Sequence, residues 1–450
     1  MLNVTQLRLA AREIFDETLR AVDAGEAVRR TLRLEGSRLT VRDAIFDLGN
    51  RHVYSIAIGK AALPMALALG DVIGERLTRG LVVGPVRAPL ARSTPEACVP
   101  PWRWCEGGHP LPNETSLAAA EEAFALLDCA NEDRALLIFL VSGGGSAMLE
   151  WPIHEDIKLA DLRMANEVLV RCGASIGEIN SIRRAFSAVK GGRLAARAPN
   201  CDQITLMILD VPKGQEWNVA SGPTVPPHPD APDARDVVAR YNLRAQLPQS
   251  IIQAIDNAES SDVSSDAARE HFVFLDSGDA LEAAAQVARR RGFIAEIASD
   301  ICDQPIEEGC ALLLKTMEAL RAKHCASERV VALTSGGEFA CQVKGDGIGG
   351  RNLETALRLA CSVDFISSDA VALSAGTDGI DGNSPAAGAL VDSTTLERAK
   401  AIGLDANDFL RRSDSYSFFV ALGDAIATGP TGTNVRDIRI LLGATQNRPR

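Results

Sequence analysis

The sequence predicts an α/β protein: two three-layer α/β/α domains with mostly parallel sheets and a helical segment at the N-terminus. Three observations carry that expectation. Short apolar runs of strand length alternate with amphipathic stretches of helical spacing along most of the chain. Some of those runs, such as ALLIFLV at 135–141, are apolar throughout, as strands buried on both faces are. A length of 450 residues also exceeds what one ordinary core supports.

Composition narrows the class. Hydrophobic residues make up 46% and charged residues 24%, which fits a soluble globular protein. A net charge of −12 argues against general nucleic-acid binding, because a backbone binder needs a cationic face. It leaves room for an anionic small molecule, since a few local Arg and Lys override the global sign. The ten cysteines are scattered with no C-x-x-C pair, as reduced thiols of a cytoplasmic protein are. The first residues alternate charged and apolar side chains, unlike a secretory signal, and no apolar run reaches membrane-spanning length. The expected partner is a small-molecule substrate, with no nucleic acid and no membrane, and a homodimer is the candidate assembly.

In chain order, apolar residues at helical spacing (Leu7, Ile14, Leu19, Val22, Val28), broken near Asp23 and Gly25, predict two helices over 6–34. Residues 52–58 predict the first strand. It ends in Gly59 and Lys60, and Pro64 opens a helix that runs to 77. Lys60 thus falls where a strand meets a helix, the ligand edge of an open α/β sheet. A lysine there can neutralise a moving phosphoryl group; a solvated surface lysine is the alternative. After a short strand at 81–84, a proline-bearing loop leads to His109 beside Gly107 and Gly108, either facing a crevice or structural. An amphipathic helix spans 115–127.

The strand at 135–141 then delivers Ser142, Gly143, Gly144, Gly145 and Ser146 into a helix start at 147–149. Strand, glycine loop and helix start aim free backbone N–H groups at one point, where an anion can sit with no Cβ in the way. The loop is neither a Walker lysine loop nor a dinucleotide fingerprint, and a turn that only needs small residues is the alternative. A helix at 161–172 follows. Arg183, Ser187 and Lys190 fall three and four apart, so they share one helix face before Gly191 and Gly192 stop the helix. That stripe is either a solvated face or part of an anion site. Residues 203–209 form a strand that ends at Asp210, in the place of a base, a metal ligand or a cap. Proline-rich residues 223–229 and the serine patch at 260–265 bracket a domain transition.

The second half repeats the pattern. Strand 272–275, helix 280–291, strand 294–298 and helix 306–323 precede a strand at 329–333. That strand ends in Thr334, Ser335, Gly336, Gly337 and Glu338, a second glycine loop now with a carboxylate. Glycines at 345–350 deliver Arg351 and Asn352 to a helix at 353–360, where the arginine reaches a compact anion unobstructed. Strand 369–373 ends in a glycine loop carrying Asp378 and Asp381, which suits Mg2+, a hydroxylated substrate or a plain tight turn. A glycine–threonine loop at 428–434 and a last strand at 438–442 close the chain. Two domains facing each other across a crevice would bring these strand-end loops together.

Taken together, the stretches 58–61, 106–112, 141–147, 179–180 with 190–194, 220–225, 334–338, 349–352, 373–382 and 428–434 resemble the glycerate 2-kinases. That family joins an N-terminal Rossmann-like domain to a C-terminal MOFRL domain. The resemblance implies domains at 1–245 and 246–450, with the MOFRL region at about 330–443. It implies ATP-dependent phosphorylation of D-glycerate at its 2-hydroxyl, with Mg2+ or another divalent cation. It places the catalytic lysine at Lys60, an acidic partner at Asp210 and an essential arginine at Arg351. Lys60 and Arg351 would serve the transferred phosphoryl group or the glycerate carboxylate, and Asp210 would be the base or a Mg2+ partner. Ser142, Gly143, Gly144, Gly145, Ser146 and Lys190 would hold the nucleotide. Asn352, Glu338 and Asp378 would join Arg351 around the substrate, with Asp378 a second metal candidate.

Some positions depart from the family pattern. Asp210 is followed by Val211, Pro212, Lys213, Gly214, Gln215, Glu216 and Trp217, where the family has Asp-Val-x-Gly-Asp-Asp. Arg183, Arg184 and Ala185 stand for Arg-Lys-His, and Phe339 stands where a threonine is common. A repurposed ligand-binding relative without catalysis is therefore one alternative. A hydroxypyruvate reductase is another, although the chain has no G-x-G-x-x-G with a following acid at the right distance.

Overall fold

Residues 2–85, 101–258, 268–327, 329–362, 365 and 369–445 are described by the computed structural model. They fall into two units, one of residues Ala24–Leu275 and one of Met1–Asp23 with Asp276–Arg450. The serine patch at 260–265 lies outside the described residues.

The first unit begins with an antiparallel meander, β1 (Leu32–Glu35), β2 (Arg38–Val41) and β3 (Ala44–Asp47). These four-residue strands mix charge with apolar residues, so sequence periodicity does not single them out. The main sheet follows: β4 (Val53–Ile58), β5 (Leu77–Gly84), β6 (Trp102–Glu106), β7 (Leu136–Val141), β8 (Asp202–Ile208) and β9 (Arg269–Leu275). Its order is β6-β5-β4-β7-β8-β9, and every pairing is parallel. The chain starts at the centre, runs outward through β5 and β6, returns to β7 and runs outward on the other side. The order therefore reverses between β4 and β7, and the crevice beyond their carboxyl ends is where such sheets take ligands. Every residue of β4 and β7 is buried; β7 is apolar throughout, and in β4 the Tyr54 and Ser55 hydroxyls donate to Asp133 Oδ2 (2.6 Å) and Ile138 O (2.8 Å). On one face the helix Glu114–Glu132 lays Ala119, Ala120, Ala123 and Leu127 against Ile56, Leu137 and Phe139. A separate apolar cluster joins the helices Leu159–Arg171, Ile176–Ala185, Ala234–Arg240 and Gln249–Asp256.

The second unit contains β10 (Ile294–Ile297), β11 (Val330–Gly337), β12 (Ala370–Gly376), β13 (Gly388–Asp392), β14 (Ala425–Ile426) and β15 (Asp437–Ala444). Their order is β10-β11-β15-β12-β13-β14. Here the expected parallel sheet is wrong: β10–β11 is parallel, and the other four pairings are antiparallel. The reason is the last strand. β15 drops between β11 and β12 and runs against both, while β12 turns into β13 without a helical crossover, which only antiparallel neighbours allow.

Two boundaries also move. The first helix, Val4–Ala21, buries Leu7, Ile14 and Phe15 against Leu281, Ala284 and Ala288 of the helix Ser277–Arg290, so it belongs to the second unit rather than leading the first. Because β9 pairs with β8, the first unit runs to Leu275 instead of 245. No helix among the described residues is long and apolar enough to cross a membrane.

Candidate functional site

Polar groups gather at strand ends in both units. In the first, the loops after β4 and β7 are stapled together. The Lys60 N–H donates to Gly143 O (2.9 Å). The Ala61 N–H donates to Ser142 Oγ (3.1 Å), which itself donates to Ile58 O (3.1 Å). Ser142 is wholly buried, so its hydroxyl builds the loop and is not a ligand contact. Gly59 makes the approach possible: its φ is +110°, and a Cβ there would lie 2.4 Å from Ser142 O.

Gly144 is left-handed at φ +81°, and a Cβ on it would lie 3.1 Å from Met148 Cε, 3.2 Å from His109 Cδ2 and 3.3 Å from Lys60 Cγ. Lys60 and His109 therefore flank a bare backbone segment of the glycine loop. Ser146 is tied differently. Its Oγ shares a hydrogen bond with Ser221 Oγ (2.8 Å), and Ser221 donates to Asn180 Oδ1 (2.8 Å). Asn180 Nδ2 in turn donates to Asn218 Oδ1 (3.3 Å). This chain of hydrogen bonds fixes the loop to the helix Ile176–Ala185 and to the turn Glu216–Ser221. Asp210 follows β8, the strand next to β7, with Oδ1 buried.

Lys190 is the main correction in this unit. The helix stops at Ala185, so Arg183, Ser187 and Lys190 do not line one helix face. Instead the chain folds back on Glu150, a residue that sequence reasoning passed over. Ser187 Oγ donates to Glu150 Oε1 (2.6 Å), and the fully buried Lys190 ammonium pairs with Glu150 Oε2. Burial pushes the Lys190 pKa down while Glu150 opposes the shift. Lys190 is engaged in this internal pair rather than turned toward a nucleotide.

In the second unit the site forms where β15 begins. Asp437 stands in register with Gly337 of β11 and Gly376 of β12, between the two glycine loops. Arg351 grips it with two bonds, Nε to Oδ2 (2.6 Å) and Nη2 to Oδ1 (3.1 Å), and Nη2 also meets Glu338 Oε1 at 2.8 Å. Burial opposes the Arg351 charge, but Asp437 and Glu338 outweigh it and hold the pKa above the ordinary value. Sequence reasoning grouped Arg351 and Glu338 around a substrate but passed over Asp437, which no local motif marks.

Asn352 and Asp381 are interior groups. Asp381 accepts from the Leu353 N–H (2.8 Å), the Asn352 N–H (3.1 Å) and Asn352 Nδ2 (3.3 Å), and Asn352 Oδ1 accepts from Ser374 Oγ (2.8 Å). Asp381 thus holds the first turn of the helix Arg351–Cys361. Burial pushes its carboxyl up to about 7, with the Asp437 charge adding and the two N–H bonds opposing. Of the two carboxylates expected to hold a metal together, only Asp378 is partly exposed, with Oδ1 accepting from the Ile380 N–H (3.2 Å). Among the described residues no three His, Cys, Asp or Glu side chains gather as a metal site.

Arg439, on β15, supports the loop that carries Glu338. Buried beneath it, Arg439 donates to Ser335 Oγ (2.9 Å), Gly336 O (2.6 Å) and Gly337 O (2.9 Å), and stacks 3.5 Å from the Phe339 ring. The Phe339 departure noted in the sequence is therefore the lid of a buried arginine.

Comparison with known proteins agrees across the chain. Residues 10–256 match DUF4147, a domain of unknown function, and residues 331–437 match the MOFRL family. The chain is 33% identical over 440 residues to the D-glycerate 2-kinase of Thermotoga maritima, covering 98% of this chain and 99% of that protein. It is 35% identical to a putative hydroxypyruvate reductase of Agrobacterium vitis, over 86% of this chain and 98% of that protein. A crystal structure of glycerate kinase from Thermotoga maritima superimposes with a TM-score of 0.78 at 32% identity, covering 97% of this chain and 99% of that one.

Proposed function

The chain belongs to the glycerate 2-kinase family of paired DUF4147 and MOFRL domains, and from that premise we propose that it transfers the γ-phosphoryl group of ATP to the 2-hydroxyl of D-glycerate. The products are 2-phosphoglycerate and ADP. The observation that carries this reading on the molecule itself is Lys60, held beside the glycine loop where the strand order reverses.

In the reaction the glycerate oxygen attacks the γ-phosphorus, a new O–P bond forms, and the P–O bond to ADP breaks. The hydroxyl proton leaves to a base, for which Asp210 is the candidate. Positioning and charge stabilisation do most of such work. The Lys60 ammonium offsets charge on the transferred group, and the backbone of residues 143–146 cradles phosphate oxygens. Arg351 has Nε and Nη2 taken by Asp437 and Glu338, which orients the guanidinium and leaves Nη1 for a carboxylate or phosphoryl oxygen. Glu338, paired with Arg351, and Asp378 are the further substrate-binding candidates, and Asn352 joins Asp381 in fixing the start of the helix that carries Arg351.

Mg2+ prefers oxygen donors and usually takes one or two carboxylates along with substrate phosphates. Asp210 would hold it, with Asp378 the second candidate, and the ion would neutralise charge on the polyphosphate. The described cysteines are free thiols, which supports a cytoplasmic setting.

An ADP-release assay with D-glycerate, ATP and Mg2+ tests the reading, with the phosphorylated position assigned by NMR. Turnover to 2-phosphoglycerate is expected; silence across D-glycerate and related hydroxy acids would sink it. The reductase reading predicts NADH oxidation with hydroxypyruvate, and the turn after β4 has no dinucleotide fingerprint to support it.

A further inference from the structure

Arg184 is a buried charge that the reaction above does not use. It is 6% exposed, and its Nη1 is enclosed without a hydrogen-bond partner. Among the described residues no carboxylate bonds its guanidinium. Its charged neighbour is another arginine: Arg193 Nη1 donates to the backbone oxygen of Arg184 and to Ser187 O (2.9 Å). Burial pushes the Arg184 pKa down to about 10, and the Arg193 charge adds to the shift. Two neighbouring guanidiniums with no facing acid contrast with Lys190, a few residues away, whose buried charge is answered by Glu150. An uncompensated buried cation is costly, and chains keep one where it meets an anion.

The position is also informative. Asn180 and Arg184 are four apart on the helix Ile176–Ala185, so they share a face and lie about 6 Å apart along its axis. Asn180 is the residue that reaches Ser221 and, through it, Ser146 of the glycine loop. Arg184 therefore sits one turn from the anchor of that loop. Gly191, left-handed at φ +65°, lets the backbone close on the side chain: a Cβ there would lie 3.0 Å from Arg184 Cδ.

We infer that Arg184, backed by Arg193, forms an oxyanion subsite of the first unit that takes a carboxylate or phosphate oxygen of a small ligand. A planar guanidinium suits either group through paired N–H donors. That the oxyanion is the glycerate carboxylate or an ATP phosphate rests on the kinase reading; the subsite does not. It takes over the anion-binding role that sequence spacing gave to Lys190.

The test uses the full chain and its Arg184→Gln and Arg184→Lys variants. Thermal melts are recorded with inorganic phosphate, D-glycerate or ATP, each added alone. The unaltered protein is expected to melt higher with at least one, Arg184→Gln to lose that rise, and Arg184→Lys to keep part of it. Loss of the glycerate shift alone names the carboxylate; loss of the phosphate and ATP shifts names the phosphate. In kinetics, Arg184→Gln should raise KM for the same ligand about tenfold to a hundredfold, while the other KM stays within about twofold. Equal shifts in the unaltered protein and Arg184→Gln overturn the subsite, as does the absence of any shift in the unaltered protein. Should Arg184→Gln fail to fold, an undiminished shift in Arg184→Lys overturns it. A phosphate shift that depends on Arg184 in a protein without kinase turnover would instead leave the subsite standing and remove the kinase reading.

Discussion

Lys60 is partly exposed and lies against Gly144, so truncating it removes charge without opening the core. Lys60→Ala should lower kcat/KM by about a hundredfold to a thousandfold while the melting temperature stays nearly unchanged, read by steady-state assay and thermal melt. Asp381 gives a pH signature. Its folded value of about 7 lies above its ordinary 3.8, so the folded state binds the extra proton. The stability this contributes is complete below about pH 4 and is lost as pH rises through 7. Asp381→Asn keeps an acceptor oxygen for the helix N–H groups and cannot ionise. Its stability relative to the unaltered protein should therefore climb between pH 4 and 8, by at most about 4 kcal/mol, as melts across that range would read. Single residues were legible where a local pattern surrounds them, as at Lys60 and Arg351. Glu150 and Asp437 were not, because their partners lie 40 and 86 residues away and no local spacing records the pair.

At the scale of elements, the contact between the loops after β4 and β7 depends on the missing Cβ of Gly59. Gly59→Ala forces both a left-handed alanine and a collision with the Ser142 backbone. The variant should lose about 2 kcal/mol or more in denaturant titration, and activity should fall with it because Lys60 moves. The apolar strands β4, β7, β8 and β11 were readable from composition, since a strand buried on both faces has little freedom in what it is made of. The meander β1–β3 was not, because each strand is only four residues long and carries at least one charged residue. The run through Arg183, Ser187 and Lys190 mimics helical spacing, yet the helix ends at Ala185 and a loop folding over Glu150 brings Ser187 and Lys190 together. Periodicity reports which residues share a side, not which structure puts them there.

For the whole molecule, the α/β class and the family follow from the alternation and order of motifs, whereas strand direction in the second sheet does not. Parallel and antiparallel strands buried on both faces have the same composition, so the insertion of β15 left no mark in the sequence. The first helix is a second case: its apolar stripe shows that it packs, not on what. Phe15→Ala should cost about 3–5 kcal/mol in the second unit alone. Hydrogen exchange should quicken in Ser277–Arg290 and β15 and stay slow in β4 and β7; uniform quickening would contradict the division.

The placement of β15 also sets an order of assembly on the ribosome. Residues Ala24–Leu275 are contiguous and can fold as they emerge, whereas the helix Val4–Ala21 must wait for Ser277–Arg290, made after them, and their sheet must wait for β15. Until then β11 and β12 have bare edges in the nascent chain, open to wrong partners. A product cut short before Asp437 would leave the Arg351 guanidinium without the acid that grips it at two points, and the two strand edges without their cover.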